Sequence, residues 1–348
     1  MDRPSLQALA LAPRALLYRG ARAIRIAELF ASQVVSAASA TDEAVAATIS
    51  RRAGRLRAAG RRAAIFCHFD ANGEVNGSAK HLLAGLAEAG LDVVAVSNSP
   101  SLSAQGADAL AEHSMIVLHR RNVGYDFGAY RDGLAALGDL SGYQSILLVN
   151  DSVIGPFAPL APLLSRLNDS ADVWGLTDSR ERGWHLQSYF LAFSQRALGH
   201  PAFSSFWQNY RTIGSKDWAV HAGELALSRT LTRGGLRLRA LFPFEQIRNA
   251  FIAQAKAEGH TPRFAGRGAA RDVDHVLAAS VCKLPFNPTH LYWDTLVEAF
   301  DSPFVKRDLA ETNPARLISA GRISDTVDAR FGAGAWARAS GKGETSVG

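Results

Sequence analysis

Residues 63–69, Ala63-Ala64-Ile65-Phe66-Cys67-His68-Phe69, are followed by Asp70, Asn72 and Gly73. A short apolar run without polar alternation describes a strand buried on both faces, and the acid, amide and glycine after it describe a polar loop. The arrangement recurs: 92–96 (DVVAV) runs into Ser97-Asn98-Ser99-Pro100, 114–118 (SMIVL) into 120–126, and 145–149 (SILLV) into 150–156. Helical stretches lie between them, at 78–90 with Gly90 as its stop, near 103–113, and at 128–138. Strand and helix in alternation predict an α/β domain whose mostly parallel sheet carries helices on both faces. Ligands of such sheets bind beyond the carboxyl ends of the strands, so these polar loops are the place to look for function.

Past Pro156 the regularity weakens. Further strands are expected at 172–176 and 187–193 and a late one at 236–241, with helices at 203–212 and 223–234, the latter stopping at Gly234-Gly235. Beyond about residue 300 the chain turns rich in Ala, Arg and Gly, and 339–348 (ASGKGETSVG) reads as a disordered tail.

Charge is distributed unevenly. Residues 1–62 hold eleven arginines against Asp2, Glu28, Asp42 and Glu43, which outweighs the net +6 of all 348 residues. Leu16, Leu17, Ile24, Ile26, Leu29 and Phe30 interleave with Arg14, Arg19, Arg22 and Arg25 at roughly helical spacing. A helix packed on the domain and a basic helix lying on an anionic membrane surface both fit this pattern. Nucleic acid is not an expected partner, because no stacking platform or DNA-binding motif accompanies the arginines. The chain therefore divides into a basic helical segment (1–60), a main domain (61–300) and a C-terminal extension (301–348).

Several classes are excluded. No run reaches the ~18 apolar residues of a membrane-spanning helix. Two cysteines, Cys67 and Cys282, make no disulfide scaffold, and neither CxxC nor HExxH offers zinc ligands. GxGxxG and GxxxxGK[ST] are missing from the loops, which weakens dinucleotide and P-loop readings. The N-terminus lacks the features of a secretory signal, and a cytoplasmic address is the expectation.

Four constellations could carry chemistry. In 121–131 (RNVGYDFGAYR), Gly124 and Gly128 would let backbone approach a ligand, while Asn122 and Asp126 offer hydrogen bonds; Asp126 could instead cap the helix. In 148–156 (LVNDSVIGP), an acid closes a buried strand, and Asp151 with Asn150 or Ser152 suits Mg²⁺ or Mn²⁺ bridging a diphosphate; a turn cap is the plainer role. Asp178 in WGLTDS (174–179) and Trp184, His185, Gln187 and Ser188 in WHLQSYF (184–190) combine aromatic faces with hydroxyl-reading groups, as a sugar site does, or form an aromatic core. In 221–229 (HAGELALSR), Glu224 or His221 could serve as a general base and Arg229 could neutralise phosphate.

Taken together, RRNVGYDFGAYRDGL, ILLVNDSVIGPF, DVWGLTDS, WHLQSYFLAFS and GELALSRTLTRGG, in that order, resemble the rhamnan synthesis protein F family of bacterial polysaccharide glycosyltransferases over about residues 61–245. The resemblance implies a GT-A-like nucleotide-diphosphosugar transferase, inverting, that moves a deoxyhexose such as rhamnose from a dTDP- or UDP-linked donor to a cell-surface glycan or lipid-linked acceptor. It puts Asn150-Asp151-Ser152 where such enzymes carry Asp-x-Asp, with Asp151 as the metal ligand and no second acid two residues on. Glu224 would be the base, with His221 second. Asp70, Asn98, Arg121, Asn122 and Asp126 would hold nucleotide and donor, and Arg121 or Arg229 would offset phosphate charge if no metal binds. The basic segment would keep the enzyme at the inner membrane face. The missing second acid leaves a rival open, a non-catalytic glycan-binding or scaffold protein that retains the fold.

Overall fold

The computed structural model describes residues 47–257, 280, 287–314 and 316–342. Its sheet is built from β1 (Thr48–Ala53), β2 (Arg62–His68), β3 (Asp92–Ser97), β4 (Ile116–Arg120), β5 (Ser145–Asn150), β7 (Val173–Ser179), β9 (Phe190–Ser194) and β10 (Leu238–Phe242), in the spatial order β1-β4-β3-β2-β5-β9-β7-β10. A short β8 (His185–Leu186) pairs with β7, and β6 (Val153–Ile154) forms a separate two-stranded ribbon with β11 (Val305–Lys306).

The sheet is mixed. Pairs β3–β4, β2–β3, β2–β5 and β7–β10 are parallel, whereas β1 runs against β4, and β9 runs against both β5 and β7. This corrects the mostly parallel expectation. The chain turns back in the short connection 180–184 after β7, too short for a parallel crossover, and both β8 and β9 then run against β7. Because β9 reverses between two strands of like direction, β2, β3, β4, β5, β7 and β10 still end at one edge.

Period-two alternation places helices on both faces. Ala64, Phe66, Leu147 and Val149 point into a core shared with helices 77–88, 160–165 and 244–257. Ala63, Ile65, Cys67, Ile146 and Leu148 point into the opposite core, against helices 125–137, 201–209 and 226–233. Helix 77–88 begins where the Asn76 side-chain Oδ1 accepts from Ala79 N–H at 2.9 Å, and helix 104–112 where Ser103 Oγ accepts from Gly106 N–H at 2.9 Å.

Two boundaries shift. Thr48–Ala53, inside the segment expected to be helical, is an exposed edge strand on β4; the rest of that segment, 1–46, lies outside the described residues. The expected tail begins inside a helix, Ala335–Ser340, whose Ala339 is buried in a third core with Ile154, Trp293, Val305 and Val327; residues 343–348 lie outside the described residues. Ala339 has an apolar partner surface that its local composition does not reveal. No helix among the described residues is long and apolar enough to cross a membrane.

Candidate active site

The connections β2→β3→β4 step away from β2 on one side, and β5 returns on its other side, so β2 and β5 flank the point where the strand order reverses. A crevice for ligands opens beyond the carboxyl ends at such a point. There Asp151 N–H donates to Cys67 O at 3.0 Å, and Phe69 N–H donates to Asp151 Oδ2 at 3.1 Å. The Asn150 amide reaches sideways and donates to Asp126 Oδ2 at 2.7 Å, and the Cys67 thiol lies 3.5 Å from Asp126 Oδ1. Burial first, then the nearby Asp151, raises the Asp126 pKa. Burial, with Asp126 second, pushes the Cys67 thiol well up, so this sulfur stays protonated. Burial also lowers the His68 pKa, and His68 Nδ1 lies 3.2 Å from Ser97 Oγ.

Glu224 comes to this edge from the π-helical segment Ala219–Leu225, a wound-out geometry often found at functional sites. Its Oε1 accepts from Ser188 N–H at 2.6 Å, while Oε2 lies 3.7 Å from His185 Nε2. The approach requires Gly223, where a Cβ would sit 2.6 Å from the Phe127 ring. The Tyr130 hydroxyl donates to Ser188 O at 2.9 Å, and its pKa is raised by burial and then by Asp126, Cys67, Glu224 and Asp151. Asn150 N–H donates to Tyr189 O at 3.2 Å, next to the Ser188 that holds Glu224, so the end of β5 and Glu224 meet along Ser188-Tyr189.

Two cations that the sequence reading missed complete the cluster. Backbone pairing of β11 with β6, extended by Arg307 N–H donating to Ser152 O at 2.9 Å, carries Lys306 and Arg307 beside Asn150-Asp151-Ser152. Lys306 Nζ donates to Ser152 Oγ at 2.9 Å and stands 4.6 Å over the Tyr189 ring. Burial lowers its pKa against the pull of Glu224, Asp308 and Asp126. Arg307 Nη2 lies 3.4 Å from Asp151 Oδ2. No local motif marks these residues; only the ribbon pairing, 154 positions from Ser152 in the case of Lys306, reveals them.

Other expected ligand groups are committed elsewhere. Asp70 Oδ1 accepts from Asn72 and Glu74 N–H and shapes its own loop. Asn98 is buried between Tyr125 O, to which it donates at 3.0 Å, and the Arg120 guanidinium, from which it accepts at 2.8 Å. Gln187 is buried between Thr177 and Asn287. Asp178 accepts from Phe244 N–H at the start of helix 244–257 and from the Trp184 indole at 2.7 Å, which fixes a ring that is 42% exposed. Asp126 is not the helix cap, since Gly124 holds that position. Gly124 and Gly128 face protein, not a ligand: Cβ atoms there would meet Thr212 and, at Gly128, Val123 O and the Arg120 guanidinium. Asn122 is half-buried and Arg121 exposed. His221 turns its Nδ1 to Asp217 O at 3.0 Å, and Arg229 is exposed while its neighbour Ser228 faces inward to Leu186 N–H.

The residues present do not build a divalent-cation site at Asp151. Its Oδ2 already takes the Phe69 N–H and faces Arg307, and Asn150 Oδ1 takes the Ser152 N–H and hydroxyl. Among the described residues there is no cluster of three or more His, Cys, Asp or Glu suited to a metal.

These features define an α/β protein with a charged cluster at the switch point of a mixed sheet. The family model of rhamnan synthesis protein F matches residues 93–261. The Vibrio anguillarum virulence protein VirA is 30% identical over 210 residues, 57% of this chain and 63% of VirA. The uncharacterized protein y4gN of Sinorhizobium fredii is 32% identical over 168 residues, 47% of this chain and 44% of y4gN. The chain thus spans less than two thirds of these relatives. Among solved structures, a Bacillus anthracis protein described as a glucose-1-phosphate thymidylyltransferase aligns with a TM-score of 0.36 at 8% identity, over 51% of this chain and 86% of its own. The bifunctional glycosyltransferase WbbM aligns at 0.31 and 11% identity, over 54% and 40%. The strand order of the chain itself, described above, defines its fold. Asp126, Asp151 and Glu224 fall within the family segment; Lys306 and Arg307 do not.

Proposed function

We propose that the chain is a GT-A-like glycosyltransferase of polysaccharide biosynthesis, moving a hexose, with rhamnose the first to try, from a dTDP- or UDP-linked donor to a glycan or lipid-linked acceptor with inversion. The observation that carries this reading is the meeting of Asp126, Asn150-Asp151 and Glu224 at the switch point. The match of residues 93–261 to the rhamnan synthesis protein F model supports it.

In the proposed reaction the acceptor oxygen attacks the anomeric carbon from the face opposite the diphosphate. The bond from that carbon to the phosphate oxygen breaks, and its electron pair leaves with the nucleoside diphosphate. Glu224 Oε2 takes the acceptor proton, while the Ser188 N–H held by Oε1 fixes the carboxylate. Trp184, tied by Asp178, offers an exposed ring for the acceptor sugar to stack on. The arginine-rich N-terminal segment, 1–60, is assigned to the cytoplasmic membrane face, where liposome co-sedimentation should be lost when residues 1–60 are removed.

A panel of nucleotide sugars, assayed for transfer and for released nucleoside diphosphate, tests the reading. One donor of the dTDP or UDP series should be consumed. Binding of glycan without consumption of any donor would replace the enzyme with a glycan-binding scaffold.

A further inference from the structure

Lys306 and Arg307 are half-buried, and Arg307 is poorly supplied with acceptors. Arg307 Nε and Nη2 are buried without a hydrogen-bond partner among the described residues, and the 3.4 Å approach to Asp151 lacks hydrogen-bond geometry. The Lys306 ammonium has three donors, of which Ser152 Oγ takes one and the Tyr189 face another. A buried cation left short of acceptors is costly, and an arriving anion relieves it. Both side chains emerge at the carboxyl ends of β2 and β5, beside Asp151, where the donor of the proposed reaction would place its phosphates. Asp151 lies beside Arg307, and the backbone pairing of β11 with β6 holds both cations in place.

We infer that Lys306 and Arg307 bind the diphosphate of the donor and neutralise it as it leaves, so that transfer needs no divalent cation. This rests on the transferase reading and deepens it. The bond changes are those given above: the pair released from the anomeric carbon settles on the phosphate oxygen, and the charge gained there is met by ammonium and guanidinium N–H groups. The C-terminal extension is then a working part of the site, although it lies outside the family segment.

Calorimetric titration of the full chain with dTDP, UDP and inorganic pyrophosphate, in EDTA and in Mn²⁺, tests this directly. The expected result is binding of a nucleoside diphosphate in EDTA, with affinity within about threefold of that in Mn²⁺. Lys306→Met and Arg307→Met should each weaken it about tenfold or more, while Lys306→Arg keeps most of it. Circular dichroism melting confirms that each variant is folded, and Arg307→Lys serves should Arg307→Met fail to fold. Binding that requires Mn²⁺, or binding in EDTA that neither cation affects, overturns the inference and leaves the transferase standing. Pyrophosphate binding lost in both variants, with no nucleoside diphosphate bound, keeps the anion site and removes the nucleotide-sugar reading. No binding of any of the three removes both.

Discussion

Two arginines near the carboxyl edge of the sheet are drawn into the protein in opposite states. Arg120, closing β4, is fully buried, and every nitrogen is used: Nε on Asp132 at 2.7 Å, Nη1 on Asn98 at 2.8 Å, Nη2 on Val123 O at 2.8 Å. Arg307, following β11, keeps two buried nitrogens unbonded. The first locks the 120–126 loop against β3 and helix 125–137; the second leaves donors at the site inferred above for the diphosphate. Satisfied buried charge builds architecture, whereas undersatisfied buried charge at a strand end marks where a ligand completes the structure.

The contrast can be broken or sharpened by mutation. The largest effect is expected from Glu224→Gln, which keeps the shape and the Ser188 hydrogen bond but loses the base: turnover should fall about 10²- to 10⁴-fold with donor binding and melting unchanged. A rate near that of the parent would remove Glu224 from the mechanism. Arg120→Met should lower stability by about 3–5 kcal/mol in urea unfolding by stranding Asp132 and Asn98. Arg307→Met should leave stability unchanged or raise it, and equal losses in the two variants would erase the distinction. Gly223→Ala forces a methyl against Phe127 and should cost about 1–3 kcal/mol, with turnover reduced about tenfold as Glu224 is displaced. Normal turnover would show that the close packing does not position the base.

The smallest effect belongs to the amino edge of the sheet. Asp172, 1% exposed, accepts from the backbone and guanidinium of Arg237 and from Arg196. The Arg237 hydrogen bond lowers its pKa from 3.8 to about 2. A carboxylate depressed on folding contributes stability above its unfolded pKa and loses it as pH falls through the folded one. Asp172→Asn should therefore melt lower than the parent above about pH 4, with the two curves converging toward pH 2 and turnover untouched. A pH-independent gap would show that the charge is irrelevant there.

Much of the fold was legible because burial leaves a local record. Apolar runs at 63–69, 92–96, 114–118 and 145–149 correspond to β2 to β5 within a residue or two at most ends. What local sequence does not show is partners. Asn98 and Gln187 are the right residue types for binding nucleotide and sugar, yet each hydrogen-bonds to protein groups, as does Oδ1 of Asp70. Lys306 and Arg307 sit in a compositionally bland stretch, and the strand that presents them is two residues long.

The linear chain by itself determined the alternation of strand and helix and the polar strand-end loops, with Asp151 directly after β5, because periodic burial and turn chemistry act over a few neighbouring residues. Only the tertiary structure decided that β9 runs backwards, that Gly223 lets Glu224 reach Ser188, and that a distant ribbon carries two cations to Asp151. Those outcomes depend on which surfaces meet across the fold, and a hydrogen bond or a charge is assigned its role by what lies within a few ångströms of it, at whatever separation along the chain.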